Sequence, residues 1–286
     1  MDTRFLETFL AVAESGSVAA AARRLNLTAA GVAQRLRALE AEIGVPLLKR
    51  AGRSLAPTPA GARIAARAPE LLVQLRDLAA LATADALAGE LRLGAVPTAI
   101  IGLLPDMMTA MRERHPRIEI RIVPGRSEEL FARVAEGALD AALIVQPPFE
   151  IPKSCGWAML RREPLIVLAP GRLAGAEPLH LLSAEPFIRY DEASWGGQLA
   201  SAYLRRRRIR PREAFELVTL DAIAVLVDRG LGVSLVPDWA PPWPEGLSLA
   251  RLPVPDAPVR CMGLAWGRAS PRIRLIEALA GQAMAG

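Results

Sequence analysis

The chain has 286 residues, 52% of them hydrophobic, with 35 basic against 30 acidic residues and a net charge of +5. That length favours two or three units over one core, and no stretch approaches the roughly 20 uninterrupted apolar residues that would cross a membrane. Cys155 and Cys261 stand far apart and match no C-x-x-C or metal spacing, so they read as reduced thiols in a cytoplasmic protein with no metal and no cofactor.

The apolar start "FLETFLAVAESGS" imitates a secretion signal. Glu7 interrupts it, however, and Phe5, Leu6, Phe9, Leu10 and Ala13 follow a helical period, which predicts a folded helix. Gly16 and Ser17 then supply a turn and an N-cap, and Val18, Ala21, Ala22 and Leu25 form the inner face of a second, short helix. Asn26 suits the left-handed residue that ends it, and Thr28 caps a third helix. Val32, Leu36, Leu39 and Ile43 of that helix point inward together, which turns Ala29, Ala30, Ala33, Gln34 and Arg37 outward. Small residues and a tight turn make this pair a helix-turn-helix, whose second member can enter a major groove.

After Gly44 the segment "VPLLKRAGRSLAPT" reads as two extended pieces around Gly52, a wing that carries Lys49, Arg50 and Arg53 towards phosphates or the minor groove. Charge agrees with this. From Ser15 to Arg67 nine basic residues face only Glu40 and Glu42, so the positive excess of the chain sits in its first fifth.

The landmarks "ESGS", "AAxxL", "VAQRLRALE", "GVPLL.R" and "L.PT.AG" within residues 5–66 resemble the winged helix-turn-helix of LysR-type transcriptional regulators. The resemblance implies double-stranded operator or promoter DNA as a partner, and it admits RNA polymerase as another. The DNA-facing candidates are Ser17, Thr28, Ala29, Ala30, Ala33, Gln34, Arg35, Arg37, Lys49, Arg50 and Arg53. Where family members commonly open this helix with Ser-Gln-Pro-Ala-Val-Ser, the chain has Thr28, Ala29, Ala30, Gly31, Val32 and Ala33. The alanines remove side chains that would reach base edges, leaving Thr28, Gln34 and Arg37, with Arg35 on phosphate. Sequence preference is expected to lean on groove shape and on the wing arginines.

Thr58 and Pro59 open a long helix, along which Ile64, Ala68, Leu71, Leu75, Leu78 and Ala82 alternate spacings of four and three. This is a coiled-coil-like seam, and in the resembling family the equivalent helix pairs two subunits, implying a homodimer or tetramer. Pro69 is expected to kink or restart the helix. "ALAGE", residues 86–90, reads as a hinge.

Beyond it, "LRLGAV", "IEIRIV", "DAALIV" and "LIVLAP" read as strands, with helices over about 101–114 and 126–136. A second set follows: "FIRY", a helix from Trp195 to Arg208, "FELV", a helix from Leu220 to Arg229, and "GVSLVP". Such βαβ alternation predicts two α/β lobes around a cleft. The runs "PRIEIRIVPGRSEELFARVAEGALDAALI" and "VLVDRGLGVSLVPDW" resemble the effector-binding domain of the same family, built like a periplasmic binding protein with two crossover strands. The expected domains are residues 1–58 (winged helix-turn-helix), 59–89 (linker helix) and 90–286 (effector domain). The first lobe takes about 90–168 and 260–286, the second about 169–259.

Strand ends and helix N-termini converge on such a cleft and favour an anion. This selects Thr98, Gly125, Arg126, Ser127 and Gln146 from the first lobe and Arg189, Tyr190, Trp195, Thr219 and Pro237 from the second. Arg126 and Arg189 are the expected carboxylate ligands of a small organic acid or amino acid. "RRRR" at 205–208 closes a helix and reads as a solvated end. His115 and His180 lie in loop-like contexts, and the G-x-G of "RGLGVSL" precedes a strand rather than a helix, so no catalytic group is assigned and no enzyme is expected. The sequence leaves two rivals open: a small-molecule binding or catalytic protein whose first domain only mediates assembly, and an architectural DNA protein with little sequence choice.

Overall fold

Short polar side chains start every helix of the N-terminal unit. The computed structural model describes residues 2–52, 54–81 and 89–283, divided into one unit within 1–82 and another within 83–286. Asp2 accepts from the Arg4 N–H at the start of α1 (Thr3–Ser15), and Ser17 from Ala20 at the start of α2 (Val18–Leu25). Thr28 accepts from Gly31 and starts α3 (Ala29–Ile43). Gly16, Asn26 and Gly44 end these helices in the left-handed region, at φ of 64°, 53° and 83°. Each cap is worth about 1 kcal/mol, and together they fix where one helix stops and the next begins.

An antiparallel hairpin, β1 (Leu48–Ala51) and β2 (Ser54–Pro57), follows α3, with Arg50 opposite Leu55. Glu40 ties it to α3, its Oε1 accepting the N–H groups of Leu47 at 2.7 Å and Leu48 at 3.2 Å. Phe9, Val12, Ala21, Val32, Leu39 and Leu47 are buried as the core beneath the three helices. Thr58 then caps α4 (Pro59–Leu81), accepting from Gly61 at 3.0 Å. The expected restart at Pro69 does not occur: α4 is one helix through it, despite the hydrogen bond that the proline cannot donate and the crowding of its ring against the preceding turn. Ile64 and Ala68 pack into the unit's own core, whereas Leu71, Leu75 and Leu78 stand 45%, 47% and 65% exposed. Arg53, Ala82 and residues 86–88 of the expected hinge lie outside the described residues.

The second unit opens with β3 (Gly89–Ala95), α5 (Pro97–Gly102), α6 (Leu104–Arg114), β4 (Ile118–Pro124), α7 (Ser127–Ala135) and β5 (Ala141–Val145). The helix expected over 101–114 is therefore two, divided at Leu103 with a proline in the first turn of each. β3 lies between β4 and β5, parallel to both. A long strand follows, β6 (Cys155–Pro170), then α8 (Pro178–Ala184), β7 (Pro186–Tyr190), α9 (Trp195–Arg207), β8 (Arg212–Leu217), α10 (Leu220–Asp228), β9 (Ser234–Pro237), β10 (Leu249–Pro253), β11 (Val259–Gly267) and α11 (Ile273–Ala283).

β6 belongs to two sheets. Up to Pro164 it pairs with β11, which also pairs with β5; from Leu165 it pairs with β9 and β10. Proline has no N–H to give a ladder, and here it occupies the point where one ladder gives way to the other. A bridge from Phe187 to Val233 then joins β7 and β8 to β9. Two lobes result, one with a core around Leu93, Leu130, Leu143 and Leu264, the other with separate cores on the two faces of its sheet.

Gly61 is required by contact, since a Cβ there would lie 2.0 Å from the Leu47 carbonyl oxygen. Gly61→Ala is expected to destabilise the N-terminal unit by about 3 kcal/mol, read as a lowered midpoint in denaturant unfolding.

Candidate functional site

On the N-terminal unit, Thr28, Ala29, Ala30, Gln34 and Arg37 are exposed on α3 and Ala33 is half-buried. Lys49 and Arg50 are exposed on the hairpin. Ser17 is half-buried and engaged as the cap of α2. Arg35 departs from the expectation. It is half-buried, and its Nη1 donates to Thr8 Oγ1 at 3.4 Å, which places it against α1 rather than outward. Position 35 falls beside the inward stripe, one residue before Leu36.

In the second unit a cavity of about 220 Å³ lies between the lobes. α7, α9 and α10 all present their first turns to it, joined by the start of α5. Thr98, Gly125, Arg126 and Ser127 line it from one side, and Tyr190, Trp195 and Thr219 from the other. Ser127 Oγ accepts from the Val145 N–H at 3.1 Å, which leaves its hydroxyl proton to give. Thr219 occupies the N-cap of α10 without bonding to it, so its hydroxyl is unspent.

Three expected residues are placed elsewhere. Arg189 neighbours Tyr190 on β7, and alternation along a strand sends it to the opposite face. There it bonds Ser201 Oγ at 2.8 Å and pairs with Glu213. That hydrogen bond holds the Glu213 carboxyl below the usual carboxylate range and raises the Arg189 guanidinium. Gln146 is exposed just beyond β5, its N–H bound to the Cys261 carbonyl. Pro237 is buried at the end of β9, opposite Leu165.

Among the lining residues that sequence reasoning passed over are two buried or half-buried charged ones, Glu128 and Arg260. Arg260 is 2% exposed and sits on β11 directly opposite Glu163 on β6. Its Nε and Nη2 both reach Glu163 Oε2, at 2.7 Å and 2.5 Å. A signal existed: an arginine inside the apolar run "VRCMGLAW" must be paired or bound once that strand is buried. Glu128 reads in sequence as a first-turn acid complementing a helix dipole. It also crosses between lobes, its Oε1 accepting the Trp195 N–H at 2.7 Å. Arg126 Nη2 reaches Asp191 Oδ2 at 2.7 Å across the same gap, and Trp195 meets Phe131 and Phe149 edge-on at 6.1 Å and 5.7 Å.

Residues 3–62 match the family model described as bacterial regulatory helix-turn-helix protein, lysR family, and residues 84–285 match LysR substrate binding domain. The chain belongs to the LysR family of transcriptional regulators. It is accordingly a DNA-binding regulator with an effector-binding domain, and not an enzyme. The regulator is 33% identical to a probable hydrogen peroxide-inducible genes activator of Mycobacterium avium, over 96% of this chain and 91% of that one. It is 30% identical to the transcriptional regulator IlvR of Caulobacter vibrioides, over 94% and 93%. Among solved structures, a full-length OxyR variant from Pseudomonas aeruginosa superposes with a TM-score of 0.64 at 25% identity, covering 99% of this chain and 94% of that one. CbnR complexed with its target DNA superposes at 0.67 and 22% identity, covering 99% and 100% and sharing the fold. Among the described residues, no helix is long and apolar enough to cross a membrane.

Burial raises the Asp221 carboxyl above its usual value, so the charged form opposes folding. For a carboxylate with a raised folded pKa, stability falls as pH rises from the unfolded pKa through the folded one. Asp221→Asn is therefore expected to raise the melting temperature at pH 7, with the gain vanishing near pH 3, as a paired thermal melt at the two pH values would read.

Proposed function

We propose that the regulator acts in the cytoplasm as a homodimer or tetramer whose α3 and hairpin contact operator DNA, and that a small organic acid or amino acid binds in the interlobe cavity. The observation that carries the effector half is the convergence of α7, α9 and α10 on one small space, since helix N-termini offer unpaired N–H groups to an anion. Thr98, Ser127 and Thr219 supply hydroxyls there, and Trp195 and Tyr190 supply apolar wall. Exposed Leu71, Leu75 and Leu78 support pairing along α4. A ligand that favours one relation of the lobes shifts the dimer and the spacing of its DNA half-sites.

Hydrogen peroxide, which the names of several relatives mention, is a poorer fit to this chain as a thiol oxidant. Cys155 pairs with Gly267 and Cys261 with Arg162 on the same two strands. Along a strand that offset is about 20 Å, against the roughly 7 Å limit between the Cα atoms of a disulfide. No bridge can form between them within one chain.

The DNA half is tested by fluorescence anisotropy with a panel of operator variants. Lys49→Ala and Arg50→Ala are expected to weaken binding to every sequence alike and to reduce the salt slope by about 1 each. Gln34→Ala is expected to leave base preference nearly unchanged, because the alanines of α3 present little to base edges. A single base position relaxed by Gln34→Ala would overturn the reading of groove shape as the main discriminator.

Leu75→Asp tests the α4 seam. The variant is expected to sediment as a smaller species than wild type and to lose operator affinity, whereas an unchanged sedimentation coefficient would remove α4 from the interface.

A further inference from the structure

The cavity has two poles of opposite charge. At one, two guanidiniums share a single carboxylate: Arg260 takes Glu163 Oε2, and Arg161 Nε lies 3.5 Å from Oε1, which also accepts the Ala240 N–H at 3.1 Å. Arg260 gives Nε to Oε2, while its Nη2, 2.5 Å from the same oxygen, makes no hydrogen bond, so this cavity-lining guanidinium keeps donors unspent. Arg260 and Glu163 are 2% and 1% exposed, whereas the Arg161 side chain is 39% exposed.

At the other pole two carboxylates share one guanidinium. Arg126 reaches Asp191 at 2.7 Å and only approaches Glu128, 3.9 Å from Oε2. Glu128 Oε1 is occupied by the Trp195 N–H, while Oε2 is closed off from water and accepts no hydrogen bond. A buried charged acceptor left without a donor is costly. Glu129, exposed on the same turn, adds a further carboxylate to this side of the cavity. The apolar part of the wall includes Val96, Val145, Trp195, Val218 and Leu220.

A plain carboxylate would suit Arg260 and aggravate the side of Glu128. An ammonium alone would do the reverse. We propose that the effector is a zwitterion, a free amino acid with an apolar side chain, its carboxylate on the Arg260 guanidinium and its ammonium on the Glu128 carboxylate. This rests on the interlobe cavity being the effector site, and it replaces Arg189 with Arg260 as the carboxylate ligand.

Isothermal titration of the full-length protein with apolar α-amino acids, and with the 2-hydroxy and 2-oxo acids of the same side chains, tests it. The best amino acid is expected to bind about tenfold or more tightly than its 2-hydroxy counterpart. Glu128→Gln, which keeps an oxygen for the Trp195 N–H, is expected to abolish that ratio without weakening the hydroxy acid. A hydroxy or oxo acid that binds as well as the amino acid, a ratio unchanged by Glu128→Gln, or no binding of any amino acid at millimolar concentration overturns the proposal. Failure of the cavity reading itself looks different: the amino acid binds, and Trp195→Ala and Arg260→Lys both leave its affinity untouched.

Discussion

The ion pair between Arg260 and Glu163 is the constraint around which the effector unit is organised. The two residues face one another on β11 and β6, beside Pro164, where β6 leaves one sheet for the other. Both are almost wholly buried, and removing one partner of such a pair strands the other charge at a cost of about 3–5 kcal/mol. Glu163 also holds the Ala240 N–H beyond the end of β9. One carboxylate thus fastens both crossover strands and the chain leaving the second lobe, while its arginine reaches the cavity. The group that holds the lobes together is also part of the wall they share.

The N-terminal unit is built on a different economy of short-range devices. Its helix starts are capped by Asp2, Ser17, Thr28 and Thr58, and its hairpin hangs from Glu40. The alanines of α2 and α3 let the helices approach, and the same small residues leave α3 with little to say to base edges. On the reading proposed above, affinity falls to cations whose contact with phosphate carries no sequence information, and discrimination to the shape of the groove.

Local chemistry made much of this legible in the sequence. Caps, left-handed turns and the stripe Val32, Leu36, Leu39 locate the second and third helices and the end of the first to within a residue, because each signal is contained in a few neighbouring positions. The effector lobes were legible as βαβ units for the same reason. The first ten residues of β6, and all of β10 and β11, were not, since the charged "RREP" carries no strand signal of its own and is held in a strand by its pairing with β11. Site residues divide along the same line. Thr98, Ser127, Trp195 and Thr219 follow from helix starts, which sequence marks. Arg189 and Arg260 depend on which face of a strand is turned to the cavity, and register, not composition, decides that.

One continuous strand shared by two sheets limits how the halves of the domain can move. They can swivel about the stretch near Pro164, but a sliding motion would tear both ladders of β6 at once. Arg260 sits at that axle, whereas the first turns of α7 and α9 lie on opposite halves, joined by Glu128 and by Arg126 with Asp191. A guest gripped at the axle by one end therefore senses the swing of the gate with the other, and a small change in the guest's length becomes a change of angle.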